Sequence, residues 1–235
     1  MTNFHFFLNI NIQIGMMNFI ISSSDKSSPL FIKNIDLEYI NNNNLFSRNF
    51  DSYLKELIID IERKFKNITM HKVNLMVEDT SANSIDIALK ENFEYKNINK
   101  SKIEYLLKDI RYKLIKNHPD KYIAHIIVKK CFLDGVEYNF VPFEKKCKSF
   151  ILDLSFIYLQ KTFVSQIEKI FKNHQLKVNK IICTNYAKSL LNIDVDDLSK
   201  AGLAVLEDNN LNEVSVIGKK KAKMGFFEKV FHLLS

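Results

Sequence analysis

Glycine is scarce in this chain, with five residues in 235, and the scarcity limits what its loops can bind. Glycine-rich loops hold phosphate because their backbone amides approach it without a Cβ in the way. No two glycines are close enough in sequence to build such a loop; they are Gly15, Gly135, Gly202, Gly218 and Gly225. The sequence therefore predicts no nucleotide site and no cofactor.

Cysteine is rarer still, with three residues. Cys131, Cys147 and Cys183 are an odd number and include no CxxC spacing, and the histidines are not clustered. Disulfide frameworks and zinc sites need paired or clustered ligands. We expect a reducing compartment, packed thiols and no metal site.

Long apolar runs are absent as well. No uninterrupted stretch of about 18 apolar residues exists, so no segment is predicted to cross a membrane. The run from Phe4 to Ile21 is broken by asparagines and has no basic leader, so export is not expected. The first fifteen residues are either an over-extended start before Met16 and Met17 or an additional strand.

Arginine is limited to Arg48, Arg63 and Arg111, although the net charge is +7. Sequence-specific readout of nucleic acid relies on arginine forks against base edges. The lysines are mostly spread among asparagines and isoleucines, which is typical of a solvated surface. No specific nucleic-acid partner is predicted; a basic nucleic-acid-binding module is an alternative that rests on charge alone.

The most distinctive segment is 219–235, where a polybasic run precedes a strongly amphipathic pattern. At about 100° per residue, the apolar side chains fill one continuous half of a helix. The predicted membrane-binding residues are Lys219, Lys220, Lys221, Lys223, Met224, Phe226, Phe227, Val230, Phe231, Leu233 and Leu234. Such a helix is too short to span a bilayer but suits its interface, with the lysines near anionic headgroups. The alternative is a terminal helix that docks on the protein's own core.

Apolar periodicity in the rest of the chain predicts an α+β fold, with small mixed sheets packed against amphipathic helices. A capping box at Ser101–Glu104 predicts the start of a helix that ends at Asn117, and Asp134-Gly135 predicts a hairpin. The other predicted helices cover 49–66, 163–171 and 186–191, and the predicted strands cover 17–21, 30–40, 73–77, 85–89, 122–133, 150–158 and 178–183.

Candidate catalytic groups are few. Cys131 with His125, or Cys183 with His174, could form a nucleophile and its base. Residues of these types inside strands of valine and isoleucine usually pack in the core. We therefore assign no catalytic residue and expect no enzymatic activity.

An acidic cluster lies near the carboxyl end of the chain and contains Asp194, Asp196 and Asp197. Its carboxylates could bind a cation, or they could cap the helix that follows. Capping is the favoured interpretation.

Three consecutive stretches carry a family pattern: YIAHIIVKKCFLDGVEYN with its Asp-Gly hairpin, KSFILDLSFIYLQ, and KTFVSQIEKIFKNHQLKVNKIICTNYAKSLL. Their order resembles the bacterial actin-like cell division protein FtsA. Matching apolar positions are Ile170, Leu176, Val178, Ile181 and Ile182, whereas His174 and Gln175 replace the family's Cys-Gly pair. The later stretch SKAGLAVLEDN resembles the helix that precedes the family's amphipathic membrane-targeting segment.

Two departures from this family are clear. Its glycine-containing ATP loops are absent, and between Leu191 and Asp197 the chain omits the second half of the actin-like body. The resemblance implies a reduced relative with four parts. These are a partial actin-like region (1–80), an FtsA-type inserted α+β subdomain (81–193), a terminal helix and linker (194–218) and the membrane-targeting helix (219–235).

The function implied by this resemblance is a peripheral scaffold of the division machinery at the cytoplasmic face of the inner membrane, without ATP turnover. The implied partners are anionic membrane lipid, other copies of the chain, the cytoplasmic tail of a late division protein and the tubulin-like protein FtsZ. A pilus-assembly scaffold on the same actin-like plan is the alternative.

Overall fold

The computed structural model describes residues 4–25, 28–37, 48–65, 70–79, 83–191, 197–207 and 210–214. They form two compact units. The first unit contains the described residues before Asn83 and those from Gln160 to Glu207, and the second contains Asn83–Leu159 and the 210–214 segment. Both sheets and helices are present, as the predicted α+β class requires.

Fourteen elements follow one another along the described chain. They are β1 (Phe4–Asn11), β2 (Met16–Ser23), β3 (Phe31–Asp36), α1 (Arg48–Lys64), β4 (Lys72–Glu78), β5 (Asn83–Asn97), α2 (Lys100–Asn117), β6 (Lys121–Leu133), β7 (Val136–Tyr138), β8 (Lys146–Gln160), α3 (Lys161–Asn173), β9 (Lys177–Cys183), α4 (Thr184–Ser189) and α5 (Leu198–Leu206).

The first unit is built on a five-stranded sheet with the strand order β3-β2-β1-β4-β9. β1, β2 and β3 form an antiparallel meander, whereas β4 pairs parallel to β1 and β9 parallel to β4. Parallel neighbours need a crossover, which α1 supplies between β3 and β4. Residues Phe4–Asn11 form an additional strand, β1, which lies in the middle of the sheet.

Helices cover both faces of this sheet. Phe31 of β3 meets Phe65, just after α1, with ring centroids 6.1 Å apart, and Lys33 pairs with Asp60 of α1. On the opposite face, Gly202 of α5 lies directly against the ring of Phe7 in β1. Successive strand residues point to opposite faces, so the apolar β1 is buried from both sides.

The second unit is a four-stranded sheet with the order β5-β8-β6-β7. Its core is formed by the inner faces of these strands and by α2, with Ile103 and Leu107 of α2 and Phe150 and Leu152 of β8 all buried. The predicted hairpin is confirmed: β6 and β7 are joined by Asp134 and Gly135, which have positive φ values of 48° and 86°. Two-residue turns of this kind require that conformation.

The 210–214 segment joins the second unit at β6. Val128 N donates to Asn212 O at 2.9 Å, and Val214 N donates to Ile126 O at 2.8 Å. The segment therefore forms a short antiparallel bridge with β6, at the level of Ile127 and Glu213.

Two predictions differ from the structure. The capping box is wrong, because Asn99 is the N-cap of α2: its side chain accepts from Lys102 N at 2.8 Å, and Ser101 Oγ donates to it at 3.0 Å. The helix still ends at Asn117 as predicted. In addition, the resemblance assigns 81–193 to the inserted subdomain, whereas residues 160–191 lie in the first unit, since β9 completes the first unit's sheet beside β4.

Candidate functional site

The carboxyl ends of the parallel strands β1, β4 and β9 meet at one edge of the first unit's sheet. In open sheets with parallel strands, ligands bind in the crevice outside this edge. The residues there are Asn9 near the end of β1, Glu78 at the end of β4, and Cys183 and Thr184 at the junction of β9 with α4. We call this the carboxyl edge, and it is the place to look for a ligand site.

A row of asparagines crosses the sheet at the level of the carboxyl edge. Strand register sets Asn9 opposite Asn18 and Asn18 opposite Asn34. Asn9 Nδ2 donates to Asn18 Oδ1 at 3.1 Å, and Asn18 Nδ2 donates to Asn34 Oδ1 at 3.0 Å. The row ends at Thr184, whose Oγ1 donates to Asn9 Oδ1 at 2.7 Å. Each amide therefore finds a partner inside the chain.

Burial and charge pairing complete the closure of this edge. Asn9 is 1% exposed and Thr184 is fully buried. Lys188 Nζ of α4 lies 2.8 Å from Glu78 Oε1, so a basic side chain at the edge is neutralised by a carboxylate of β4. These groups attach α4 to the sheet instead of facing outward to a ligand.

The cysteines of the two thiol pairs considered as nucleophiles are buried, which is the core packing that their sequence context favours. Cys131 is part of the core of the second unit, where burial, and secondarily the nearby Cys147, raises its pKa to about 12. Burial also raises the pKa of Cys183. A reactive cysteine needs a lowered pKa, because the thiolate is the nucleophile.

The two candidate histidines are each bound to a carboxylate. His174 Nε2 lies 2.9 Å from Asp51 Oδ1 of α1, and His125 Nδ1 lies 2.9 Å from Glu213 Oε1 in the 210–214 segment. Both contacts link an element to a neighbour that is distant in sequence. Sequence patterns could not have found either carboxylate, because each lies more than 80 residues from its histidine.

Asp197 is the cap of α5, as the favoured interpretation of the acidic cluster predicted. Its carboxylate accepts from Ser199 N at 3.1 Å and from Lys200 N at 3.2 Å. Burial raises its pKa, but hydrogen bonds from the Ser199 hydroxyl and from Lys200, together with the Lys200 charge, outweigh burial, and the net pKa is lowered. Asp194 and Asp196 lie outside the described residues. Within the described ranges, no three His, Cys, Asp or Glu side chains are grouped to hold a metal ion.

The predicted membrane-binding residues, 219–235, lie outside the described residues. The described segment nearest to them in sequence is 210–214, which is hydrogen-bonded to β6 and in which Val214 is buried. Of the helices in the described ranges, none is long and apolar enough to cross a membrane.

No family model and no curated protein matches this chain. Among solved structures, it is similar to the cytoplasmic domain of EpsL, an inner membrane component of the type II secretion system of Vibrio cholerae, at 11% identity and a TM-score of 0.36, covering 79% of this chain and 57% of that one. It is also similar to a chain of the PilM-PilN type IV pilus biogenesis complex, at 8% identity and a TM-score of 0.45, covering 80% of this chain and 49% of that one. The chain thus spans about half the length of the structures it matches. Both TM-scores are below 0.5, too low to assign a family, and neither match is to FtsA.

Proposed function

We propose that this protein is a peripheral scaffold at the cytoplasmic face of a bacterial inner membrane, which holds partner proteins in place without turning over nucleotide. The observation that carries the proposal is the closure of the carboxyl edge by Thr184, Asn9 and the Lys188–Glu78 pair. A phosphate site at this edge needs free donors, and here the side-chain donors of Asn9, Thr184 and Lys188 are each engaged by an acceptor of the protein itself.

The architecture supports a body derived from one half of an actin-like protein. An antiparallel meander continues into parallel strands, and a second unit interrupts the chain between β4 and α3. The resemblance of the sequence to FtsA implies such a body with an inserted subdomain.

Membrane attachment in this proposal is assigned to 219–235. Lysines near an anionic surface contribute about 1 kcal/mol each, and the apolar half of the helix adds to this. The preceding 210–214 segment is held by backbone hydrogen bonds to β6 and by the contact between Glu213 and His125. Force on the tail would therefore be passed to the second unit through a fixed attachment.

For the partner assembly, we propose a pilus or secretion complex as the first candidate and a division complex as the second. The resemblance of the sequence allows both, and the solved structures named above are described as secretion and pilus components. The location of the protein in the cell distinguishes the two candidates. A fluorescent fusion in the native cell should form envelope foci away from the septum; a band at midcell would favour division.

A measurement of nucleotide binding tests the proposal that the carboxyl edge is closed. Isothermal titration of the full chain with Mg-ATP and with Mg-ADP should give no saturable heat up to millimolar nucleotide. Saturable binding at micromolar concentration would overturn the proposal of a closed carboxyl edge, whatever the membrane behaviour of the tail.

A further inference from the structure

β5 has one paired side and one unpaired side. Its pairing with β8 runs without interruption from Asn83 to Asn92, after which the register shifts. β5 is also the last strand of its sheet, and within the part of the chain that the structure describes no strand pairs with its outer side. A long regular edge of this kind is a ready template for another strand.

The side chains of β5 alternate in the way that such pairing needs. On one face, Ser84, Asp86, Ala88, Lys90 and Asn92 are exposed. On the core face, Ile85, Ile87 and Leu89 are only partly buried, although Ile87 and Leu89 pack against the core of the second unit. A strand added beside β5 would cover these aliphatic side chains.

We propose that two copies of this chain pair through β5, antiparallel and related by a two-fold axis at Ala88. Such a contact is isologous, and it would join the two four-stranded sheets into one continuous sheet. The occupant of the free edge is thus a second copy of the same strand.

Charge complementarity selects this register. A two-fold axis normal to the sheet keeps each side chain on its own face, so directly opposite residues share a face whichever residue of β5 the axis passes through. Axes at Ile87 and Leu89 set Asp86 and Lys90 opposite uncharged residues. An axis at Asp86 or at Lys90 sets like charges directly opposite each other, which is destabilising. The axis at Ala88 sets Asp86 of each copy opposite Lys90 of the other, giving two pairs of opposite charge.

The contacts already present do not prevent this pairing. Asp86 Oδ2 lies 2.7 Å from Lys129 Nζ, but 58% of the Asp86 side chain is exposed, which leaves room for a second cation. On the core face, Ile87 of one copy lies opposite Leu89 of the other, so apolar side chains meet at the centre. The same register uses the regular stretch up to Asn92 and ends before the irregularity at Glu94 and Tyr95.

Disulfide trapping tests the register. Residues directly opposite in an antiparallel pair have Cα atoms about 4.5–5.5 Å apart, within the range that a disulfide spans. Ala88→Cys should form a covalent dimer under mild oxidation. Ser84→Cys is the matched control, because its two copies would be roughly 25 Å apart along the strands. Equal cross-linking of both variants, or none at Ala88→Cys, would overturn the proposal; the native cysteines are buried and should not contribute.

Exchanging the charges at positions 86 and 90 tests whether the partner is a second copy of the chain. Lys90→Asp and Asp86→Lys should each weaken self-association about tenfold or more in sedimentation equilibrium, since each sets like charges opposite. Mixing the two variants should restore a heterodimer, because the remaining charges are then complementary. Circular dichroism checks that Asp86→Lys, which loses its contact with Lys129, still folds. A wild-type chain that stays monomeric up to about 100 µM, or single variants that associate like wild type, would contradict the proposal.

Discussion

Thr184 Oγ1 donates a 2.7 Å hydrogen bond to Asn9 Oδ1 across 175 residues of chain. Both side chains are buried, and the bond ties the start of α4 to the end of the central strand. It also completes the asparagine row that begins at Asn34 on β3. The carboxyl edge is therefore closed by a contact whose loss should be measurable.

Thr184→Val should lower the free energy of unfolding by about 1–3 kcal/mol, because a buried amide oxygen loses its donor. The shape of the side chain is nearly unchanged, so packing is preserved. Urea denaturation measures the difference. Thr184→Ser is the control, because it keeps the hydroxyl and loses only a buried methyl group, so its loss of stability measures packing and not the hydrogen bond. A Thr184→Val variant as stable as wild type would mean that the hydrogen bond contributes nothing.

Gly202→Ala should destabilise the first unit. A Cβ at this position would overlap the ring of Phe7, which is fully buried in β1. Overpacking of this kind costs about 1–3 kcal/mol. The matched test is the same change in a Phe7→Leu background, where the smaller side chain should reduce the cost of Gly202→Ala; additive losses would show that α5 shifts away without strain.

Asp197→Ala should reduce stability at neutral pH by about 0.5–2 kcal/mol, because the N-cap of α5 is lost. The pKa of Asp197 is lowered from 3.8, so its contribution is present above that pH and disappears as pH falls through the folded-state pKa. The difference between wild type and variant should therefore shrink below pH 3.8. Asp197→Asn retains a capping oxygen and should keep most of the stability; a difference that is independent of pH would contradict this account.

All three cysteines should resist thiol reagents in the folded protein. Burial raises the pKa of each thiol, that of Cys131 to about 12, so little thiolate exists near pH 8. Reaction with dithionitrobenzoate should be negligible until denaturant is added, and then three thiols should react. The Ser84→Cys variant supplies an exposed thiol as a positive control. A native cysteine that reacts as fast as that control would reopen the thiol-nucleophile hypothesis.

Local patterns were enough to predict most elements, because each depends on its own side-chain period. The run from Lys121 to Leu133 and its Asp-Gly turn are examples, and so is the helix that ends at Asn117. The N-cap of that helix could not be predicted from the sequence, because Asn99 and Ser101 can both cap a helix and only the backbone conformation decides between them.

Long-range pairing could not be predicted in the same way. Asn9 and Asn18 make the amino-terminal run look broken, yet their amides satisfy each other across β1 and β2. The parallel pairing of β9 with β4 places α3 and β9 in the first unit, and it joins residues about a hundred positions apart. The closed carboxyl edge follows from such pairings. The sequence therefore predicted that no phosphate-binding loop is present, but it could not predict that Thr184, Asn9 and the Lys188–Glu78 pair close this edge.

Cosedimentation with vesicles containing anionic phospholipid is the most direct test of the scaffold proposal. The full chain should bind, binding should weaken as salt rises, and a chain ending at Gly218 should lose it, because the lysines and the apolar half of 219–235 carry the attachment. Phe227→Asp with Phe231→Asp should also abolish binding while keeping every lysine, which separates insertion from simple charge attraction. Equal binding by the full and shortened chains, or no binding by either, would contradict the account.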